Sequence, residues 1–282
     1  MLEINKYKNK KVAIYGMGKS GFSVAKKLNK LGASVYCWDD SQKIRNQIKK
    51  YNFNSDKFWL GNEELLIDYI VVSPGIDIFK CKIKNFLKKN LKKIITDLDI
   101  FFEINKKALI ISITGTNGKS TTCKIIEKIM KKAGYKTNVG GNIGKPVLSL
   151  KPFKKRGVFI LEISSYQLQY SKQFRSKHAV ILNISPDHLE RHKSMLNYIK
   201  IKSKILSAQK KNDYAYINSS GKYSKLIPKI VKIRSKLIKV EKNYCDFLLR
   251  KIKNKYLNKE GNHENLSFAC KIVKNFKIKN ST

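Results

Sequence analysis

The segment Thr114-Gly115-Thr116-Asn117-Gly118-Lys119-Ser120-Thr121 carries the residue types that hold a nucleoside triphosphate. Backbone N–H groups of a Gly-rich turn cradle phosphates, a lysine such as Lys119 reaches the β- and γ-phosphates, and a hydroxyl such as that of Ser120 suits Mg²⁺. The strict G-x-x-x-x-G-K spacing is not met: Ile113 stands where its first glycine belongs, and Gly115 is only three residues before Gly118. This is therefore a variant loop. Glu162 ends the apolar run Val158-Phe-Ile-Leu161. A carboxylate in such a place needs a partner; Mg²⁺ would serve, and a lysine is the plain alternative. His188 follows Asp187 at the end of another apolar run; a lone histidine is ordinarily structural or solvated, but the preceding acid at a strand end makes this one less ordinary. A second cluster is Gly16-Met17-Gly18-Lys19-Ser20-Gly21, with Asp39-Asp40 about 20 residues on. It suits a diphosphate beside a nucleoside without saying which nucleoside. Ser73-Pro74-Gly75-Ile76 is a further tight turn after a strand, or simply a turn.

These residues need strands and helices to present them. Lys11–Tyr15 reads as a strand, followed by a helix with Phe22, Ala25, Leu28 and Leu31 on one face. Ala33–Trp38, Tyr69–Val72 and Lys93–Ile95 read as further strands. Ala108–Ile113 is continuously apolar, as a buried parallel strand should be. After the phosphate loop, Ile125, Ile126, Ile129, Met130 and Ala133 form a helical stripe that Gly134 stops. The runs beginning at Val158, His178 and Asp213 read as strands, whereas 209–260 is otherwise Lys-rich with weak periodicity. Strands alternating with helices imply an α/β fold with mainly parallel sheets. The best division falls near Thr96–Asp99, giving domains of 1–96 and 97–282.

Composition bounds the function. With 282 residues, 42% of them hydrophobic, the chain can bury a core, and no apolar run approaches the roughly 18 residues of a membrane span. Cys37, Cys81, Cys123, Cys245 and Cys270 are scattered, which indicates neither a zinc site nor a disulfide framework. A cytoplasmic, monomeric protein is the expectation. The formal charge of +40 suggests a nucleic-acid partner, but only six of the 60 basic residues are arginine. Arginine dominates bidentate phosphate and base recognition, so compositional drift toward Lys, Ile and Asn explains the charge better than a specific nucleic acid does.

At this point the motifs resemble one family, the Mur ligases, whose variant loop TGTNGKST is shared by the folylpolyglutamate synthetases. GMGKSG with WDD, SPGI, GGNIG at 140–144, LEISSYQL at 161–168 and NISPDH at 183–188 look like the branch that adds D-glutamate to UDP-N-acetylmuramoyl-L-alanine. The resemblance implies a Rossmann-like UDP-binding domain followed by a P-loop-type ATPase domain, in an ATP-dependent acid–D-amino-acid ligase of peptidoglycan precursor synthesis. It implies UDP-substrate contacts at Gly18, Lys19, Ser20, Asp39, Ser73, Gly75, Asn142 and Gln167. ATP contacts would fall on Gly115, Thr116, Asn117, Gly118, Lys119, Ser120 and Thr121. One Mg²⁺ would lie at Ser120 and Glu162, and a second at His188 and a carbamylated Lys202; Lys119, His188 and Lys202 would be the catalytic residues. Lys200 and Lys204 flank Lys202, and spacing does not choose among the three.

Two departures accompany the resemblance. The family's GxHNxxN motif is matched only loosely by Gly261-Asn262-His263-Glu264-Asn265; aligning on the following helix makes Asn265 the adenine-side residue and leaves His263 out of register. The family's third domain, which binds the incoming amino acid, has no counterpart before Thr282. The expectation is a fragment or truncated form that ligates inefficiently by itself. A non-catalytic UDP-sugar and ATP binder and a basic nucleotide-dependent nucleic-acid module stay open as alternatives.

Overall fold

A computed structural model describes residues 5–51, 53, 66–153, 157–249, 259–276 and 278. The chain divides into two compact units. The first comprises Met1–Ile104, Pro146–Ser149 and Tyr170–Lys172, and the second the remainder.

In the first unit the strands are β1 (Lys11–Tyr15), β2 (Ser34–Trp38), β3 (Tyr69–Val72) and β4 (Ile94–Ile95). They form a parallel sheet in the order β2-β1-β3-β4. Val12–Tyr15 and Val35–Cys37 are buried, so both faces of this sheet are covered, as an all-parallel sheet requires. Helix Lys19–Lys30 follows β1 and buries Val24, Ala25 and Leu28. Because β1 lies between β2 and β3, the turn after β1 opens where the chain passes to either side. That is where open α/β sheets bind ligands. This unit is Rossmann-like.

In the second unit the strands are β5 (Leu109–Thr114), β6 (Lys136–Gly141), β7 (Gly157–Glu162), β8 (His178–Ile181), β9 (Tyr214–Asn218) and β10 (Lys236–Val240). All pairings are parallel, in the order β10-β9-β8-β5-β7-β6. Helix Lys119–Lys132 follows β5 and packs Cys123, Ile125, Ile126 and Met130 into a core with Ile111, Val158, Ile160 and Val180. Helix Glu260–Lys274 adds Leu266, Phe268, Ala269 and Ile272 to the same core. Here β5 is the switch point. The end of β7 brings Glu162 to one side of its loop, and the end of β8 brings Asn183 to the other.

Two strands lie where the residue pattern carries little signal. β6 is Lys-Thr-Asn-Val-Gly-Gly, and β10 exposes most of its side chains. Both are sheet edges, held through backbone pairing with one neighbour, so neither needs the apolar composition that marks a buried strand. Among the described residues no helix is long and apolar enough to cross a membrane.

Candidate functional site

The phosphate loop is built by a strand that ends and a helix whose start is preceded by a glycine in a left-handed conformation. Gly118 has φ 82°, and a Cβ placed there would lie 2.0 Å from Oδ1 of Asn265. Only glycine fits both demands. Asn265 is held in place: its Oδ1 accepts from the Thr122 hydroxyl at 3.2 Å, and its Nδ2 donates to Oδ1 of Asn262 at 3.0 Å. Asn262 and Asn265 are both buried and form an i, i+3 pair on helix Glu260–Lys274. Sequence reading passed over Asn262, although it belongs to the same loosely matched motif. His263 turns elsewhere, its Nδ1 lying 3.4 Å from Oδ1 of Asp246.

Two lysines converge on one carbonyl oxygen. Lys119 Nζ donates to Gly115 O at 3.0 Å and to Thr116 O at 2.7 Å, and Lys202 Nζ donates to Gly115 O at 2.8 Å. Lys202 is 2% exposed. Burial, and then the neighbouring Lys119 cation, push its pKa down to about 7, against a smaller opposing pull from Asp187. Burial also lowers the Lys119 pKa, opposed by Glu162 and Asp187. Lys202 lies on helix Met195–Ser207, and its ammonium stands 4.7 Å from the Tyr198 ring centroid. Lys200 is exposed, and Lys204 bonds the carbonyl of Gln169. The tertiary fold thus separates three lysines that the sequence left equivalent.

Glu162 is 2% exposed and accepts two hydrogen bonds, from Ser120 Oγ on Oε2 at 2.6 Å and from Asn142 Nδ2 on Oε1 at 3.0 Å. The partner is a hydroxyl and an amide, not the lysine considered as the plain alternative. A buried carboxylate beside a loop hydroxyl is an all-oxygen donor set that fits a hard cation, with phosphates and water completing the shell. Among the described residues no group of three or more His, Cys, Asp or Glu is arranged to hold a metal ion. His188 adopts φ 52°, a strained backbone position for a residue other than glycine. Its Nε2 lies 3.3 Å from Oδ2 of Asp187, and its ring centroid 5.0 Å from that of Tyr166. Gln167 is buried and accepts from the Ser164 N–H at 3.2 Å.

The far side of the loop is held by Asn183. Its backbone O accepts from the Thr116 N–H at 3.0 Å. Its Oδ1 accepts from the Asn117 N–H at 2.9 Å, and its Nδ2 donates to Glu264 Oε2 at 3.0 Å. Glu264 also accepts from Asn218 Nδ2. Thr116 Oγ1 accepts from the Ser185 N–H at 3.1 Å and lies 3.4 Å from the Tyr198 hydroxyl. Thr121 lies in the first turn of the loop helix.

The glycine turn of the first unit is locked by its neighbours on both sides. Gly21 lies so close to the turn that a Cβ there would stand 2.0 Å from Gly16 O. Asp39, after β2, accepts from the Met17 N–H at 2.7 Å and the Ser41 N–H at 2.9 Å, one bond on each carboxylate oxygen. Ser73, after β3, donates to Gly16 O at 2.7 Å. Asp39 and Ser73 therefore shape the turn directly. Lys19 and Ser20 begin the helix, and Gly18 and Gly75 are exposed.

The model of the Mur ligase MurD-like N-terminal domain matches residues 10–95, and that of the Mur ligase middle domain matches 113–282. The chain belongs to the Mur ligase family. Relatives include the UDP-N-acetylmuramoylalanine--D-glutamate ligase of Wolbachia pipientis wMel, 40% identical over 73% of this chain and 40% of its own length. That of Rickettsia prowazekii is 40% identical over 79% and 50%, and that of Rickettsia bellii 36% identical over 95% and 63%. The chain spans about half the length of the curated relatives it matches. Among solved structures, the Mur family's fold recurs in the UDP-N-acetylmuramate:L-alanyl-gamma-D-glutamyl-meso-diaminopimelate ligase from Neisseria meningitides, at 15% identity and a TM-score of 0.53. That match covers 81% of this chain and 78% of the other. A murein peptide ligase from Psychrobacter arcticus aligns at 14% identity and a TM-score of 0.50, over 82% and 53%.

Proposed function

We propose that the chain is the UDP-substrate and ATP portion of a ligase that joins D-glutamate to UDP-N-acetylmuramoyl-L-alanine through an acyl phosphate. The division into a UDP-substrate domain over 1–96 and an ATP domain over 97–282 belongs to this proposal, as do the cytoplasmic setting and the monomeric state. The observation that carries it is the convergence of Lys119 and Lys202 on Gly115 O, beside the buried Glu162–Ser120 pair. The Lys119 ammonium is poised for an anion, and the Lys202 amine beside it, its charge disfavoured by burial, for carbamylation. A phosphate loop that ends at a helix N-terminus supplies the remaining positive potential.

The residues divide the work as follows. Loop amides from Gly118 onward receive the ATP phosphates, those of Thr116 and Asn117 being engaged by Asn183, and Asn265 stands at the adenine side. Lys119 leaves its loop carbonyls for the phosphates and neutralises charge that builds on the transferred phosphoryl group. Ser120 and Glu162 would hold one Mg²⁺, and His188 with a carbamylated Lys202 a second. Bound there, Mg²⁺ supplies charge neutralisation and orients the phosphate oxygens. The substrate carboxylate attacks the γ-phosphorus and ADP leaves; the amine of D-glutamate then attacks the acyl carbon and phosphate leaves. Gly18, Lys19, Ser20, Asp39, Ser73 and Gly75 in the first unit, and Asn142 and Gln167 in the second, are the residues proposed for the UDP-substrate.

The test is ATP consumption in the absence of amino acid, with the acyl phosphate trapped by borohydride reduction to the alcohol. Trapped alcohol that requires UDP-N-acetylmuramoyl-L-alanine supports the reading. Equal trapping with UDP-N-acetylmuramate would assign the chain to a different step.

A further inference from the structure

Glu264 has no role in the site as described, yet it holds a residue that holds the phosphate loop. Its two carboxylate oxygens accept from Asn183 Nδ2 at 3.0 Å and from Asn218 Nδ2. Asn183 in turn gives its Oδ1 to the Asn117 N–H at 2.9 Å, and its Nδ2 lies 3.3 Å from Asn117 O. An asparagine amide has an accepting end and a donating end of nearly the same shape, and its neighbours decide which way round it stands. An ionised carboxylate only accepts. Facing Glu264, Asn183 must present its NH₂ there, which leaves its oxygen for the Asn117 N–H. The reversed amide would place a carbonyl against the carboxylate and an NH₂ against a backbone N–H.

We propose that Glu264 is a positioning residue for nucleotide binding: by fixing the orientation of the Asn183 amide, it fixes the backbone of Asn117 within the phosphate loop. This rests on the reading of that loop as the ATP site. The chain of contacts runs from helix Glu260–Lys274, through the segment after β8, to the loop after β5, so three separate parts of the second unit meet in one amide.

The experiment exchanges the two groups. Glu264→Gln keeps the shape but brings an NH₂ against one of the two asparagine NH₂ groups. Asn183→Asp sets a carboxylate against a carboxylate. Asn183→Asp is expected to weaken Mg-ATP binding about tenfold, the worth of roughly one hydrogen bond to a charged group, and Glu264→Gln by less, because its carbonyl can face Asn183 while its NH₂ falls against Asn218. In the double variant, the new amide at position 264 donates to the new carboxylate at position 183, whose second oxygen accepts from the Asn117 N–H. Binding is then expected to return to within about threefold of the parent chain, a coupling that independent sites do not show. Adenosine, which carries no phosphate, is expected to bind all four proteins equally. Unchanged Mg-ATP binding by Asn183→Asp, losses that simply add in the double variant, or an equal loss for adenosine would each overturn the proposal. A parent chain that binds no Mg-ATP would instead defeat the reading of the loop itself, and is a distinct result.

Discussion

Lys202 offers the sharpest chemical prediction. A lysine becomes a carbamate when its neutral amine attacks CO₂, forming an N–C bond and releasing a proton. The reaction therefore follows the fraction of free amine. With its pKa pushed down to about 7 by burial and by Lys119, Lys202 is about three-quarters neutral at pH 7.5, against about one part in a thousand for an ordinary lysine of pKa about 10.4. That is an advantage of several hundredfold over any other lysine that keeps an ordinary pKa, in a chain with 54 lysines. The assay is ¹³C NMR of the chain equilibrated with ¹³C-bicarbonate. Besides that of the α-amino group, whose ordinary pKa of about 8 also leaves free amine, one carbamate resonance is expected, present in Lys200→Ala and Lys204→Ala and absent in Lys202→Ala. Because the amine protonates near pH 7, its free fraction falls from about nine-tenths at pH 8 to about one-tenth at pH 6, and the signal is expected to fall with it. A lysine carbamate resonance that survives Lys202→Ala, or the absence of any lysine carbamate at pH 8, would refute the reasoning.

Three further outcomes follow from the geometry. Gly118→Ala combines a positive φ with a Cβ 2.0 Å from an Asn265 that Thr122 and Asn262 hold in place; a loss of at least about 2 kcal/mol in urea unfolding is expected, together with loss of Mg-ATP binding. Asp39→Ala removes the acceptor of the Met17 N–H; a loss of about 1–3 kcal/mol is expected, with weaker binding of the UDP-substrate and unchanged binding of Mg-ATP by titration calorimetry. His178 is buried with its Nδ1 2.9 Å from the Tyr216 hydroxyl, and burial pushes its pKa down to about 3. The unfolded chain then binds a proton that the folded one refuses, so the His178 contribution is complete above pH 6.5 and is lost as pH falls toward 3, by about 1.4 kcal/mol per pH unit. His178→Phe is expected to reduce the acid slope of the unfolding free energy by that amount.

The sheet cores were legible because buried parallel strands must be apolar on both faces. Val12–Tyr15, Tyr69–Val72 and Ile110–Ile113 announce themselves in this way, and each ends at a residue of the site. The phosphate loop was legible because its glycine, lysine and hydroxyl are consecutive in the chain. Residues brought to the loop from elsewhere were harder to find. Asn183 and Glu264 are 81 positions apart and meet only when β8 lies beside β5 and the last helix packs over the loop. Lys202 differs from Lys200 and Lys204 only in what surrounds it. The edge strands β6 and β10 stayed hidden because backbone pairing on one side tolerates polar side chains. The charge of +40, prominent in the composition, takes part in the site through Lys119 and has no other role in the function proposed.

The most direct test of the whole reading is titration calorimetry of the 282-residue chain with UDP-N-acetylmuramoyl-L-alanine, Mg-ATP and NADH, repeated with Lys119→Ala. One site for the UDP-substrate and one for Mg-ATP are expected, with Lys119→Ala losing the second and keeping the first. A chain that takes up NADH in place of the UDP-substrate, or whose Mg-ATP binding is indifferent to Lys119, would contradict it.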